Sequence, residues 1–197
     1  VGLAELRVRN LSSTVFVSPG LLGRSSLWWD ALSTSADGLP TELREEALTS
    51  GRGRLDEVLR WAKNQGRPLA PQPEHASVAD EELLREVVGE SATTVGSHGW
   101  EHANLVELDG ETLNCEVQRS FQWLKERFGD SVVQWLSLPY GHSSGRVTRA
   151  ALEAGYEGVL TLSGERVPAD RELDEVPRIN VPRGLSPEGL MLRTAGL

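Results

Sequence analysis

Short runs rich in β-branched, apolar and aromatic residues recur along the chain and predict buried strands. Each run is bounded by Gly, Pro or polar residues, which is typical of strand ends. The first run, for example, is closed by Pro19 and Gly20. The runs lie at 14–17, 93–96, 132–138, 158–162 and 178–181.

Apolar residues at three- or four-residue spacing predict helices between these strands. The clearest helix is 111–128, where Leu113, Val117 and Phe121 fall on one face and Gly129 ends the helix. Further helices are predicted at 41–49, 55–64 and 146–154, after Asp80, and from Ser186-Pro187 onward. A loop is predicted at 21–39, and an extended proline-rich linker at 67–74.

This alternation of strands and helices predicts an α/β fold on a parallel sheet, either open or closed into a barrel. One domain spanning 1–197 accommodates these elements, with a helical insertion at about 24–75 after the first strand. In both architectures the active site lies at the carboxyl ends of the strands. Residues that directly follow a strand are therefore the candidates for chemistry.

Composition narrows the range of functions. The 197 residues carry a net charge of −9, which disfavours nucleic-acid binding because phosphate contacts need a basic face. No apolar run is long enough to span a bilayer, so no integral membrane segment is expected. The single cysteine excludes an internal disulfide framework. No signal-peptide pattern occurs, which favours a cytoplasmic over a secreted location, and Val1 in place of Met favours a truncated or processed start.

Two histidines, His98 and His102, follow the second predicted strand. A spacing of four residues places both rings on one side if the segment forms a helical turn. Two neutral imidazoles there can chelate a divalent ion, with Zn²⁺ preferred. Catalytic zinc usually takes three protein ligands. Asp30 is a candidate for the third ligand, although a helix-capping role suits it better.

The third predicted strand is followed by a second group of candidates. Pro139-Tyr140-Gly141 forms a sharp turn that can offer a backbone N–H to a developing oxyanion, and His142 can line the same mouth. His75, in the proline-rich linker, is expected at the surface. Aromatic faces that suit sugar rings occur in or beside the loops, at Trp28, Trp29, Trp100 and Tyr140.

These motifs, in this order, resemble the polysaccharide deacetylases of the NodB-homology group, carbohydrate esterase family four. The sequence VGSHGWEHANL at 95–105 resembles the histidine motif of that family, and LPYG at 138–141 followed by EAGY at 153–156 resembles its next motif. The other similar segments are TVFVSPG at 14–20, WWD at 28–30 and VPRINV at 176–181, the last two typical of a bacterial subgroup associated with surface polysaccharides.

The resemblance implies a distorted (β/α) barrel, incomplete at its N-terminus, that removes acetyl groups from amino sugars with a divalent metal, expected to be Zn²⁺. His98 and His102 would be metal ligands, and the Tyr140 N–H would help to hold the oxyanion. The residues expected to contact the glycan substrate are Trp28, Trp29, Trp100 and Pro139.

The sequence departs from the family pattern in three places. The motif Thr-Phe-Asp-Asp, which supplies the base and the third metal ligand, is absent and would lie just upstream of Val1. The arginine expected two residues before Pro139 is Ser137, so Arg178 is expected to supply that charge from a neighbouring strand. No histidine follows His142, which becomes the expected catalytic acid.

The leading hypothesis is a metal-dependent hydrolase that removes N-acetyl or O-acetyl groups from a polysaccharide or glycan precursor, this chain being a truncated form. One alternative is a non-catalytic relative that binds carbohydrate through its aromatic loops. Another is a metal hydrolase of a different substrate class, with Asp30 as third ligand. Without the two aspartates, we expect weak zinc binding and little activity, and recovery of both in a chain extended upstream.

Overall fold

The computed structural model describes residues 2–24, 26–33, 38–71, 77–90, 92–164, 167, 173–182 and 184–195. The strands in this part of the chain are β1 Ser13–Val17, β2 Thr93–Ser97, β3 Val132–Ser137, β4 Gly158–Thr161 and β5 Glu175–Pro177. The helices are α1 Gly2–Val8, α2 Trp28–Leu32, α3 Thr41–Ser50, α4 Leu55–Asn64, α5 Glu81–Glu90, α6 Gly110–Phe128, α7 Gly145–Glu153 and α8 Pro187–Ala195.

Each strand pairs in parallel with the next strand along the chain, which gives the order β1–β2–β3–β4–β5. A doubly wound sheet reverses its direction at a switch point. This sheet advances in one direction only, as the sheet of a β/α barrel does, and β1 and β5 are its edges among the described residues. The predicted α/β fold on a parallel sheet is confirmed.

Four of the five strands form where the sequence predicts them, and the fifth prediction is wrong. The last strand is Glu175–Pro177, and residues 178–181 lie after it, outside the sheet. The Arg178 N–H donates one more bond to the Thr161 carbonyl at 3.0 Å. Beyond it Ile179 is half-buried and Val181 is exposed, so no fully buried side chain holds this segment against the sheet.

The long helix α6 forms as the apolar spacing predicts. Its N-terminus is capped by Asp109, whose carboxylate accepts the Thr112 N–H at 2.8 Å. Gly129, with a φ of +50°, ends it. In the described part of the chain, no helix combines the length and the apolar character needed to cross a bilayer.

The helix α2 was not predicted, because it lies in the segment expected to be a loop. Trp28 and Leu32 bury one side of this short helix, which is too brief to show a clear periodicity in the sequence. Asp30 accepts the Leu27 N–H at 3.3 Å at its start. The linker prediction holds for 67–71, which lacks regular secondary structure, while the rest of the linker and His75 lie outside the described residues.

The apolar core has three parts, and their arrangement links the insertion to the sheet. The first lies between the sheet and α6 and α7, and the second joins β1–β3 to α5 and α6. The third is formed by α2, α3 and α4, and the Tyr140 ring packs against it from the loop after β3. The carboxyl ends of the strands are therefore covered on one side by the insertion.

We expect Leu136→Ala to lower the free energy of unfolding by about 2–5 kcal/mol, because this β3 side chain is 0% exposed and its loss leaves a cavity. The matched control is Leu152→Ala on α7, where the side chain is 42% exposed and the expected change is within about 0.5 kcal/mol. Urea unfolding measures both. Equal losses in the two variants would contradict the placement of Leu136 in the core.

Candidate functional site

The loops that follow β1, β2 and β3 meet at one edge of the sheet, because the carboxyl ends of parallel strands lie together. The His98 N–H donates to the Val17 carbonyl at 2.8 Å, and Ser18 Oγ donates to the His98 carbonyl at 2.8 Å. The Leu138 N–H donates to the Leu160 carbonyl at 3.0 Å. These bonds fix the first residue of each loop against the neighbouring strand.

The two histidine rings lie side by side, although the segment between them does not form a helical turn. Gly99 and His102 adopt left-handed backbone conformations, with φ of +74° and +56°. A non-glycine residue in this region is uncommon and is held there by its surroundings. The resulting tight turn brings the ring centroids of His98 and His102 to 4.6 Å, with the ring planes at 85°.

The orientation of His98 is set by one hydrogen bond. Its Nδ1 lies 2.5 Å from the Ser137 carbonyl at the end of β3. A carbonyl only accepts, so Nδ1 carries the proton and the lone pair resides on Nε2. Burial, together with the nearby charge of Arg178, lowers the pKa of His98 to about 4. The ring is therefore neutral at physiological pH, as a metal ligand must be.

The His102 ring is held by aromatic contacts. Its centroid lies 4.8 Å from that of Tyr140 and 5.2 Å from that of Trp29, both edge-on. Its Nδ1 is buried and has no hydrogen-bond partner. Burial, and to a lesser degree repulsion from His98, lowers the pKa of His102 to about 3. A neutral imidazole with an unpartnered buried nitrogen is a site where a ligand would be stabilising.

Two neutral imidazoles fit the donor chemistry of Zn²⁺. Within the described ranges, however, no group of three His, Cys, Asp or Glu side chains is close enough to hold an ion. Asp30 is therefore not the third ligand, and its carboxylate caps α2 as described. His98 and His102 are two candidate ligands, and a Zn²⁺ site needs at least one more.

A buried carboxylate that sequence analysis missed lies beneath this turn. Glu116 of α6 is 4% exposed, and its Oε2 accepts the N–H groups of Trp100 and Glu101 at 2.9 and 3.0 Å. Burial raises the pKa of Glu116. A signal was present in the sequence, because an acid directly precedes Val117 on the apolar face of α6, where a charged residue is unusual.

Tyr140 occupies the turn Pro139–Gly141 with a φ of +61°. Its hydroxyl accepts the Trp28 Nε1–H at 2.9 Å and donates to the Gly53 carbonyl at 3.1 Å. Burial raises the pKa of the Tyr140 phenol, so it stays protonated. These two bonds anchor the side chain and thereby restrain the backbone N–H that the sequence assigns to the oxyanion.

The structure separates His142 from the histidine pair. His142 lines a cavity of about 390 Å³ with Thr161 and Glu175, and its Nδ1 lies 3.4 Å from Asn104 Oδ1. The pair instead lines an apolar groove of about 220 Å³ beside β1. The Tyr140 ring contacts both sides, with centroids 4.8 Å from His102 and 6.5 Å from His142.

Arg178, predicted to supply the charge that Ser137 lacks, is half-buried and directly follows β5. Its positive charge contributes to the low pKa of His98, after the larger effect of burial. Its Nε donates to the Thr161 carbonyl at 3.2 Å, which fixes the side chain at the end of β4. The positive charge of Arg178 therefore acts on His98, although position 137 is a serine.

Two of the four residues predicted to contact substrate are buried. Trp28 is 2% exposed and uses its indole N–H on Tyr140. Pro139 is buried as well, close to the turn at Gly99. Because both side chains are covered by neighbouring residues in this conformation, they pack inside the protein and do not offer the predicted contact with a sugar.

The other two tryptophans are half-buried and reach the surface of the site. Trp29 lies edge-on to His102 and is the aromatic side chain best placed to meet a substrate at the histidines. Trp100 has one face covered by Arg119, whose guanidinium carbon lies 3.8 Å from the ring centroid. Only its remaining surface is open to a ligand.

The turn between α3 and α4 also contacts the site loops. The Asn104 N–H donates to the Arg52 carbonyl at 2.7 Å, just beyond the histidine turn. Arg54 Nε donates to a carboxylate oxygen of Glu101 at 2.7 Å, inside that turn. Together with the bond from Tyr140 to Gly53, these contacts attach the insertion to both loops of the site.

Comparison with known proteins adds independent findings. Structures of similar fold include IcaB from Ammonifex degensii, at 17% identity and a TM-score of 0.60 over 98% of this chain and 65% of that chain. The de-N-acetylase from Aggregatibacter actinomycetemcomitans has 13% identity and a TM-score of 0.59 over 98% and 69%. The BpsB deacetylase domain from Bordetella bronchiseptica has 16% identity and a TM-score of 0.55 over 90% and 64%.

These identities are low, so the likeness shows a shared fold, and the chain spans less than two thirds of the length of IcaB. No curated protein sequence matches the chain. The family model described as polysaccharide deacetylase matches residues 57–159, which is more than half of the chain and includes both histidines of the turn. The chain therefore belongs to the polysaccharide deacetylase family.

Proposed function

We propose that this chain forms the catalytic mouth of a metal-dependent polysaccharide deacetylase that hydrolyses N-acetyl groups. The observation that carries the proposal is the neutral imidazole pair, with ring centroids 4.6 Å apart at the carboxyl ends of a parallel sheet. The family match supports the reaction class. The choice of N-acetyl over O-acetyl groups is supported by the similar structure described as a de-N-acetylase.

His98 and His102 are the residues that would hold the metal. The bond from His98 Nδ1 to Ser137 leaves Nε2 for the ion, and two nitrogen ligands favour Zn²⁺ among the divalent ions. A bound divalent ion supplies Lewis acidity to the acetyl carbonyl oxygen.

We place the third ligand and the general base on a further strand beside β1. The histidine pair lies in an apolar groove of about 220 Å³ that β1 also lines, and β1 is an edge of the described sheet. An edge strand offers backbone groups to a neighbour. The family motif Thr-Phe-Asp-Asp does not occur in the 197 residues. An Asp-Asp pair at the end of such a strand would bring carboxylates to the histidines.

The remaining steps use residues of this chain. The Tyr140 N–H, in the turn that follows β3, donates to the oxyanion as water adds to the acetyl carbon and gives its proton to the general base proposed beside β1. The Arg178 guanidinium adds positive charge near the same oxygen. When the C–N bond breaks, His142 delivers a proton to the departing amine, and the products are acetate and the free amino sugar.

The substrate is proposed to be an N-acetylated glycan that lies across the mouth of the sheet. Trp29 offers an aromatic face beside His102, and the cavity of about 390 Å³ next to His142 can take a sugar ring. The net charge of −9 makes a polyanionic substrate unfavourable, whereas a neutral glycan that becomes cationic on deacetylation is compatible with it.

Replacement of either ligand tests the metal proposal. We expect His98→Ala and His102→Ala each to weaken Co²⁺ binding by at least about 100-fold, more than the loss of an outer-shell partner costs. Titration followed by Co²⁺ absorbance, with competition by Zn²⁺, measures the affinity. The control is His142→Ala, which should leave the affinity unchanged. Loss of Co²⁺ binding in that control, or retention in both ligand variants, would refute the assigned ligands.

Activity is tested on two lengths of chain by acetate release from N-acetylglucosamine oligomers. We expect the 197 residues alone to bind zinc weakly and to release little acetate, and a longer form with an upstream Asp-Asp pair to recover both. In that longer form, His142→Ala should lower kcat by about 10²–10⁴-fold, the usual contribution of a general acid. A longer form that is metal-loaded and still inert would rule out deacetylation.

A non-catalytic, carbohydrate-binding function is the second candidate. It is favoured by the finding that the described residues contain no complete set of metal ligands, and by the half-buried Trp29 at the mouth. This function predicts that N-acetylglucosamine oligomers change the tryptophan fluorescence of the metal-free chain and that Trp29→Ala abolishes the change. Trp61→Ala, on the insertion, is the matched control. No response in the metal-free wild type would exclude this candidate.

A further inference from the structure

The carboxylate of Glu116 stands out because nothing in the proposed reaction uses it. It is 4% exposed on the inner face of α6, next to Val117 in the core. Burying a carboxylate is costly unless hydrogen bonds compensate the loss of hydration. A hydrophobic residue would be the ordinary choice at this position, so the bonds that the carboxylate makes point to its role.

Both of its backbone partners belong to the histidine turn. Glu116 Oε2 accepts the N–H of Trp100 at 2.9 Å and the N–H of Glu101 at 3.0 Å. These two residues are the ones between Gly99 and His102, which both have positive φ. A turn of this shape does not pair its inner N–H groups as a helix or a strand does, so they need another acceptor, which here is the Glu116 carboxylate.

The direction of the His102 ring follows from this arrangement. Its backbone φ of +56° is an unfavourable conformation for a histidine, and it is reached directly after the two N–H groups that Glu116 holds. If the acceptor is removed, the N–H groups can turn toward water and the residue can relax to negative φ. That change would carry the imidazole away from His98.

We propose that Glu116 is a positioning residue that holds the turn 99–102 in the shape that faces the His102 imidazole toward His98. The role rests on the proposed function, because it matters to metal binding only if the imidazole pair holds an ion. Glu116 does not contact the ion or the substrate and acts only through the backbone of the turn. The four-residue spacing of His98 and His102 does not by itself bring the two rings together, because the segment between them is not helical.

A second acid reinforces the same segment from outside. The side chain of Glu101 pairs with Arg54 of the insertion, with Nε and a carboxylate oxygen at 2.7 Å. Glu101 is thus held at its N–H by Glu116 and at its carboxylate by Arg54. The half-exposed ion pair contributes little on its own. Loss of the buried Glu116 carboxylate, in contrast, should change the positions of the histidine rings.

The experiment compares four variants of the full chain. Glu116→Ala removes the acceptor, and Glu116→Leu removes it while filling the space. Glu116→Gln keeps an oxygen that can accept both N–H bonds. Val117→Ala, on the same turn of α6, is the matched control, because it weakens the core without touching the turn.

The first readout is the affinity for Co²⁺ alone. We expect Glu116→Ala and Glu116→Leu to bind about 10–100-fold more weakly, as the loss of an outer-shell partner usually does. Glu116→Gln should keep most of the affinity. Val117→Ala should lower Tm and leave the affinity as in the wild type. A wild-type affinity in the Ala and Leu variants, or an equal loss in Val117→Ala, would overturn the proposal.

The second readout needs no metal. In the metal-free wild type, we expect slow amide hydrogen exchange at Trp100 and Glu101 and a nuclear Overhauser effect between the His98 and His102 rings. Glu116→Leu should lose both, and Val117→Ala should keep both. If neither the wild-type chain nor the longer form with an upstream Asp-Asp pair binds Co²⁺, the proposed function fails, while these signals still decide whether Glu116 positions the ring. Unchanged signals in Glu116→Leu would refute it.

Discussion

The bond from His98 Nδ1 to the Ser137 carbonyl is the interaction on which the site depends most. It joins the loop after β2 to the end of β3, so the parallel pairing of two strands fixes an imidazole to a definite direction. It also settles which nitrogen carries the proton. Burial then keeps the ring neutral. The position and the tautomer of this imidazole therefore follow from the pairing of β2 with β3, and its charge state follows from its burial between them.

Local patterns in the sequence predict part of this structure, and tertiary contacts that leave no pattern in the sequence determine the rest. The apolar spacing of α6 and the placement of His98 and His102 after a strand follow from pattern and topology alone. The conformation between the histidines did not, because positive φ at His102 is imposed by the bonds of Glu116 to the turn. No periodicity in the sequence reports such a constraint.

The same distinction explains the aromatic residues. Adjacent tryptophans in a segment without clear periodicity gave no means of telling which ring points inward. The short helix α2 places Trp28 in the core against Tyr140 and leaves Trp29 beside His102. The predicted strand at 178–181 failed for a related reason, since Ile179 is only half-buried and Val181 is exposed, so the segment has no fully buried apolar side chain. The residue types show which segments contain aromatic or apolar side chains, but only the packing shows which of those side chains are buried.

The insertion contacts the site through α2, through the turn that follows α3, and through Arg44 of α3, whose guanidinium carbon lies 5.7 Å from the Tyr140 ring centroid. The outward sides of α3 and α4 carry solvated charges such as Glu45 and Lys63 and make none of the contacts that shape the site. The turn between α3 and α4 is therefore constrained by its contacts with the site, whereas the outer surface of α3 and α4 can change in sequence without affecting the site. That surface is where relatives can acquire new recognition properties without rebuilding the reactive centre.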